Sequence, residues 1–380
     1  MMPAVLAAVA SAWGAKFSRI PDHAAWRVAM YPLSLLYLVV VMIRSWLYRT
    51  GFLRTGKLGV RVISVGNIET GGTGKTPFVA GLCSELVQLG RVPVVLSRGH
   101  GSGLPGDLCA MIFGGRYVDF RHMDGSTVPY VDSLAAHIHA DEAMMISNLL
   151  PTVPVLIGRD RYKTWQVFSR AGFPDDVQPT DVVLDDGFQH LAIARDIDVV
   201  LLTPGVGTRP RESVCLPSGN LREPLSALDR ATCVVTVLGR DHDSTGAPGL
   251  PGERAFIRYG DLLLMSAGGS FSSPESVSWP RRPLVACGIA RPLAFIDALS
   301  GKGLVPANIL TVKDHEEFRS EELQSALRRD LSGNNLPCDA IITTAKDYWR
   351  NPQMLHRTGV PVWILPMSIE FSYHKLLSRA

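Results

Sequence analysis

From residue 60 onward, short uninterrupted apolar runs alternate along the chain with stretches of helix-like apolar spacing. The runs fall at 60–65, 92–96, 153–157, 181–185, 197–202 and 232–237, and runs of this length predict strands buried on both faces. Phe78 to Leu89 has the spacing of a helix with one apolar face. Strand–helix alternation of this kind predicts a parallel α/β sheet covered by helices. The pattern stops between Gly239 and Glu253, where prolines, glycines and short polar residues predict a linker at 241–254. It restarts at Pro283–Cys287, followed by a helix over 292–300 and strands at 339–343 and 361–365, so a second, smaller α/β unit is expected. The chain thus divides into a segment 1–50, a main domain 51–240, the linker, and a C-terminal domain 255–380. Whether the last segment returns to the main domain is left open.

The N-terminal segment follows a different pattern. Val28 to Ile43 carries no charge and is bracketed by Arg27 and Arg44. It falls slightly short of the roughly 20 apolar residues needed to span a bilayer core. Trp26, Tyr31, Tyr37, Trp46 and Tyr48 supply rings suited to the headgroup layer. A secretory signal fits poorly, because the run starts late. A buried core helix competes with the preferred reading, a helix embedded in or shallowly crossing the inner leaflet.

Composition sharpens this picture at two points. The 46% hydrophobic content is high for a soluble enzyme, which agrees with membrane contact. The net charge of +3 is unevenly spread: residues 1–61 carry about +7 and the remainder about −4. A basic, apolar, aromatic leader suits an anionic membrane surface rather than nucleic acid, and no nucleic-acid-reading module is visible. The six cysteines are scattered without a paired spacing, which argues for a reducing compartment and against a zinc site.

The strongest chemical signal follows the first strand. Val65-Gly66-Asn67-Ile68-Glu69-Thr70-Gly71-Gly72-Thr73-Gly74-Lys75-Thr76-Pro77 places a glycine-rich turn between strand and helix, as a phosphate-binding loop requires. Backbone N–H groups of Gly71, Gly72, Thr73 and Gly74 would close around phosphates at the positive end of the helix dipole. Lys75 would reach the β/γ-phosphates of ATP, and the Thr76 hydroxyl would ligate Mg²⁺. Glu69 stands where the strict motif has glycine.

Asp181 to His190 is an apolar strand ending in Asp185 and Asp186, a place where carboxylates hold Mg²⁺ directly or through water. Asp141 and Glu142 precede another apolar helical run; they fit helix-start acids as well as a reactive pair. Asp314 and His315 are adjacent, and an Asp can orient a neighbouring imidazole. Basic candidates follow strands or turns: Arg98 in Ser-Arg-Gly-His-Gly, Arg159 in Arg-Asp-Arg, and Arg222 in Leu-Arg-Glu-Pro.

Taken in order, these pieces resemble the tetraacyldisaccharide 4'-kinase family of lipid A biosynthesis. The resemblance rests on the phosphate-loop segment, Ser97–Gly101, Ala140–Ala143, Val155–Arg161, Asp185–His190, Leu216–Pro224, Gly288–Pro292, Lys313–Phe318 and Thr343–Asp347, spread from about residue 26 to 350. It implies two α/β/α domains around a cleft, the first like a P-loop NTPase, with an N-terminal helix at the cytoplasmic face of the bacterial inner membrane, peripheral or shallowly anchored. It implies ATP- and Mg²⁺-dependent transfer of the γ-phosphoryl group to the 4'-hydroxyl of tetraacyldisaccharide 1-phosphate, with no obligate protein partner. Asp141 takes the place of the base, Glu142 organises Mg²⁺ with Thr76 and Asp185 or Asp186, and Asp314 and His315 support the reaction from the second domain. Asn67, Arg98, Arg159, Gln189 and Arg222 fall at substrate-side positions. Two departures touch local geometry: Ala140 replaces the glycine usual before the catalytic acid, and His100 stands where an aromatic is common. The competing reading is a membrane-targeted ATPase switch of the dimerising type. Thr70 counts against it, because those proteins usually carry a signature lysine there.

Overall fold

The computed structural model describes residues 24–378, apart from 100–101, 130–134, 136–137, 139, 208–212, 240–251, 268, 270, 273–277, 290, 314–315 and 351. Two compact units emerge. One comprises the N-terminal part up to Leu53 together with Ile68–Thr70 and Gly205–Asp229; the other holds the rest of the chain.

In the first unit, helix α1 (Ala24–Arg49) is uncharged through its middle and contains Pro32. One stripe of it is polar and meets the Gly205–Asp229 segment. Ser34 Oγ accepts the Ser218 N–H at 2.8 Å, Ser218 Oγ donates to the Arg27 carbonyl at 2.9 Å, and the Tyr37 hydroxyl donates to the Arg222 carbonyl at 2.8 Å. The same segment holds the link between the first strand and the glycine turn: Arg222 N–H donates to the Ile68 carbonyl at 2.6 Å, and Thr70 N–H to the Asn220 carbonyl at 2.8 Å. The rest of α1 is bare. Val28, Leu36, Val39, Val40, Met42 and Ile43 are all at least half exposed. Arg27–Arg49 is long and apolar enough to cross a membrane, with mean hydropathy 1.8 over its best window and only 6% of that window buried.

The second unit contains two sheets. The larger uses β1 (Arg61–Asn67), β2 (Pro93–Ser97), β3 (Leu108–Phe113), β4 (Arg116–His122), β5 (Thr127–Val128), β6 (Val155–Gly158), β7 (Asp181–Asp185), β8 (Ile197–Leu202), β9 (Cys233–Leu238), β10 (Glu253–Tyr259) and β17 (Met367–Glu370), in the order 17-10-9-8-1-7-2-6-3-4-5. From β10 to β6 every pairing is parallel; the hairpin beyond β6 and the strand β17 are antiparallel. The central strands are buried along their whole length, as continuous Val, Ile and Leu runs require when helices cover both faces. Helices α2 (Lys75–Gln88), α3 (Asp141–Leu149) and α4 (Arg161–Ala171) follow, and precede, these strands.

The smaller sheet is built from β11 (Leu263–Met265), β12 (Phe271–Ser272), β13 (Pro283–Cys287), β14 (Asn308–Thr311), β15 (Ala340–Thr343) and β16 (Val362–Ile364), in the order 12-11-16-15-13-14. Helices α5 (Pro292–Ser300), α6 (Ser320–Leu327), α7 (Ala345–Arg350) and α8 (Pro352–His356) accompany it. Its core is a separate apolar cluster around Phe318, Leu323, Ile341, Tyr348 and Leu355. Strand β10 and the edge strand β17 fall within or against residues 255–380 yet pair with the larger sheet, so the smaller sheet is an insertion between them. After β17 the chain ends this fold with α9 (Tyr373–Leu377), which packs on α2. Phe78 of α2 is fully buried, with ring centroids 5.2 Å from Phe371 and 5.0 Å from Tyr373. Burying a side chain of that size contributes roughly 1.5–3 kcal/mol.

Candidate active site

Parallel register brings the sequence motifs to one edge. Val65 pairs with Asp185, Leu184 with Leu96, and Ser97 with Ile157, so β1, β7, β2 and β6 end level with one another. The glycine turn follows β1, Asp186 follows β7, Arg98 follows β2, and Arg159 follows β6. In open α/β sheets this carboxyl edge is where ligands bind.

The glycine turn is braced from beneath. Asn67 is fully buried and its Nδ2 donates to Thr73 Oγ1 at 3.1 Å; Gln189 Nε2 donates to the Asn67 carbonyl at 2.8 Å. Both side chains thus act as struts of the loop. Gly66 allows β1 and the turn after β7 to touch: a Cβ there would lie 2.5 Å from Phe188 Cβ and 2.6 Å from its backbone nitrogen. Gly74 is the N-cap of α2 at φ 83°, the left-handed region, and no side chain caps the helix. The first N–H groups of α2 therefore remain available to an anion, the arrangement a phosphate needs.

Charges converge on this edge. Lys75 opens α2, and its Nζ lies 3.4 Å from Asp186 Oδ1. Asp185 is buried and accepts from Ser97 Oγ at 3.4 Å. Burial, then the Glu142 and Asp186 carboxylates, push its pKa up to about 7, against the opposing pull of Lys75 and Arg161. Arg161 is itself buried, its Nη1 donating to the Asp186 carbonyl at 3.1 Å, and burial lowers its pKa while Asp185 and Asp186 raise it. Asp141 and Glu142 form the first turn of α3 and meet α7 of the smaller sheet. Glu142 Oε1 lies 3.2 Å from Lys346 Nζ, and Asp141 Oδ2 is gripped by Nε (3.1 Å) and Nη2 of Arg350.

Lys75, Asp185, Asp186 and Glu142 are thus brought together, with Asp141 beside Glu142. Arg98 and Arg159 are exposed at the same edge. Arg222 belongs to the first unit, where its backbone is engaged as described above. Asp314 and His315 lie outside the described residues, as does His100. Glu316, directly after them, offers its carbonyl to Arg350 Nη1 at 3.5 Å. Sequence reasoning passed over Lys346 and Arg350. Lys346 sits in the Thr-Thr-Ala-Lys-Asp segment that matched the family; Arg350 lies one helical turn beyond it.

Among the described residues, no group of three His, Cys, Asp or Glu side chains closes into a metal site by itself. Mg²⁺ needs no such cage, because it is held by one or two carboxylates together with phosphate oxygens and water. Asp185 is raised first by burial and then by the neighbouring Glu142 and Asp186 carboxylates, and those three acids supply the hard oxygen donors such a cation takes. The donor set Thr76, Glu142, Asp185 and Asp186 therefore fits a hard divalent cation.

Comparison with known proteins settles the family. The sequence model of the tetraacyldisaccharide-1-P 4'-kinase family (LpxK) matches residues 26–379. The chain belongs to the tetraacyldisaccharide 4'-kinase family. Among relatives named tetraacyldisaccharide 4'-kinase, the protein of Koribacter versatilis is 33% identical over 90% of this chain and 94% of its own length. That of Azoarcus sp. is 35% identical over 78% of each chain. The crystal structure described as the apo form of LpxK from Aquifex aeolicus in complex with ATP superposes with a TM-score of 0.66 at 25% identity, covering 93% of this chain and 98% of that one. In this chain parallel strands dominate, and an apolar helix stands at the N-terminal side.

Proposed function

We propose that this tetraacyldisaccharide 4'-kinase family member transfers the γ-phosphoryl group of ATP to the 4'-hydroxyl of tetraacyldisaccharide 1-phosphate, forming the bisphosphate of the lipid A pathway. The observation that carries this reading is the uncapped N-terminus of α2 behind the glycine turn, with Lys75 facing the carboxylates at the end of β7. In this reading the phosphates of ATP lie on the N–H groups of Gly71–Thr76, and the Lys75 ammonium leaves Asp186 to meet them. Bound Mg²⁺ would neutralise phosphate charge, held by Thr76, Glu142 and Asp185 or Asp186. Asp141 accepts the proton of the 4'-hydroxyl as its oxygen bonds to the γ-phosphorus; the bond to the β-phosphate oxygen breaks, and ADP leaves. Phosphoryl transfer passes through a loose transition state, so orientation of the hydroxyl matters more than strong basicity. Asp314 and His315 support this step, and Arg98, Arg159 and Arg222 are candidates for the anionic groups of the substrates.

The deciding experiment follows labelled γ-phosphate from ATP–Mg²⁺ onto tetraacyldisaccharide 1-phosphate in detergent micelles. Labelled bisphosphate lipid is expected. ATP hydrolysis with no labelled lipid would instead favour an ATPase switch.

The acyl chains of the acceptor account for α1. We place its bare apolar face in the cytoplasmic leaflet of the bacterial inner membrane, with the basic residues of the leader against anionic headgroups. Leu36→Asp with Val40→Asp alters only exposed positions, 62% and 57% accessible. An acid at the centre of a membrane helix costs about 2.5–3.5 kcal/mol. The double variant should lose co-sedimentation with anionic vesicles while melting like the parent; undiminished sedimentation would refute the membrane role of this face.

A further inference from the structure

The acids at the start of α3 are met by bases one helical turn apart on α7. Lys346 reaches Glu142 and Arg350 reaches Asp141, so α7 of the smaller sheet presents one basic face to the larger sheet's reactive pair. The Arg350 contact is the more deeply buried: its side chain is 4% exposed and that of Asp141 8%. Arg350 is itself held. Its Nη1 lies 3.3 Å from Asp347 Oδ1 and 3.5 Å from the Glu316 carbonyl. Asp347 is fully buried, fixed by the Gly288 N–H at 3.0 Å and the Thr344 hydroxyl at 2.7 Å. A Cβ on Gly288 would come within 2.7 Å of Val312 Cγ2 and 3.1 Å of Asp347 Oδ1, so this anchor has no slack.

The hydrogen-bond count on Asp141 gives the arrangement its meaning. A carboxylate has about four acceptor sites. Oδ2 receives both Nε and Nη2 of Arg350, and Oδ1 receives the Glu142 N–H at 3.0 Å. Among the described residues, one acceptor site remains, on Oδ1. Buried ion pairs bring little net stability, because desolvation offsets the attraction, so stability alone is a poor reason for this one. A guanidinium that gives two N–H groups to one carboxylate oxygen does pin that oxygen, and with the Glu142 N–H on Oδ1 it leaves the carboxylate one orientation.

We propose that Arg350 is a positioning residue for phosphoryl transfer: its fork fixes the Asp141 carboxylate so that Oδ1 is the oxygen turned to the acceptor hydroxyl, and ties that orientation to the smaller sheet through Asp347. The inference rests on the reading of Asp141 as the proton acceptor.

The test uses the full-length protein in detergent micelles, with kcat and KM for ATP measured for Arg350→Gln, Arg350→Lys, Asp141→Asn and the double variant Asp141→Asn/Arg350→Gln. A misplacement of about 1 Å can cost about 10²-fold, so Arg350→Gln should lower kcat by about that factor with KM for ATP nearly unchanged. Arg350→Lys keeps the charge and loses the fork, and should recover about tenfold of that loss. The double variant should be no slower than Asp141→Asn, because nothing is left to position. Wild-type kcat in Arg350→Gln, or losses that multiply in the double variant, would overturn the proposal. Should Arg350→Gln not fold, Arg350→Lys decides alone: kcat about tenfold below the parent supports positioning, and an unchanged kcat ends it. The two readings separate cleanly. If Asp141→Asn turns over normally, the base assignment fails; if it is slow while the Arg350 variants are not, only the positioning role fails.

Discussion

Lys75→Ala is expected to reduce lipid phosphorylation by about 10²–10³-fold, the usual consequence of removing one preorganised group that stabilises transition-state charge. The ammonium opens α2 and faces Asp186 at 3.4 Å, beside Asp185 and Glu142. Without it those carboxylates have one cation fewer, and the site becomes more repulsive to a triphosphate. Both parameters should therefore move: KM for ATP rises because ground-state attraction is lost, and kcat falls because charge develops on the bridging oxygen without its partner. The fold should tolerate the change. The α2 residues that face the core are Phe78, Val79, Leu82, Cys83 and Leu86, and the substitution leaves all of them in place. Steady-state kinetics at saturating ATP, with a melting curve of the same sample, check the prediction. Activity within tenfold of the parent would remove Lys75 from the reaction.

Asp141→Asn should be almost as damaging, by about 10²–10⁴-fold in kcat, the range for losing a general base. The amide keeps the shape of the side chain but cannot accept the hydroxyl proton as a carboxylate does. ATP binding should survive, since Asp141 is held by α7 rather than by the glycine turn. Equilibrium binding of a nucleotide analogue therefore distinguishes this variant from Lys75→Ala. Some stability should also be lost. Removing one partner of a buried ion pair costs up to about 3–5 kcal/mol, and here less, because Arg350 retains Asp347. A variant that binds nucleotide, remains folded and still transfers phosphate at the parent rate would show that the proton goes elsewhere.

The central strands were legible because a strand buried on both faces must be apolar along its whole length; β7 and β8 begin and end at the residues the apolar runs indicate. The start of α2 was less clear. Apolar spacing begins at Phe78, whereas the helix begins at Lys75, since Gly74 supplies the cap and the first turn is reserved for chemistry. The hairpin β3–β4 escaped notice because β4 mixes exposed Arg116 and Val118 with buried Tyr117 and Phe120, with a register shift opposite Met111 and Ile112. Strand β17 is four residues long and half exposed, too brief to carry a period. The glycine turn and the Asp185–Asp186 pair were readable because each chemistry is encoded within a few consecutive residues. Arg350 was not: its partner Asp141 is 209 positions away, and no local spacing announces such a contact.

The position of β17 also imposes a timetable on synthesis. Met367–Glu370 completes the edge of the larger sheet, and Phe371 and Tyr373 then cover Phe78. In chain order they come after every strand of the smaller sheet. Until they arrive, the helix behind the phosphate loop has an unfinished apolar side, although that loop was made early. The inserted sheet has by then been translated in full. The edge of the larger sheet and the cover over Phe78 therefore form only after Arg350, the partner of Asp141, has been made.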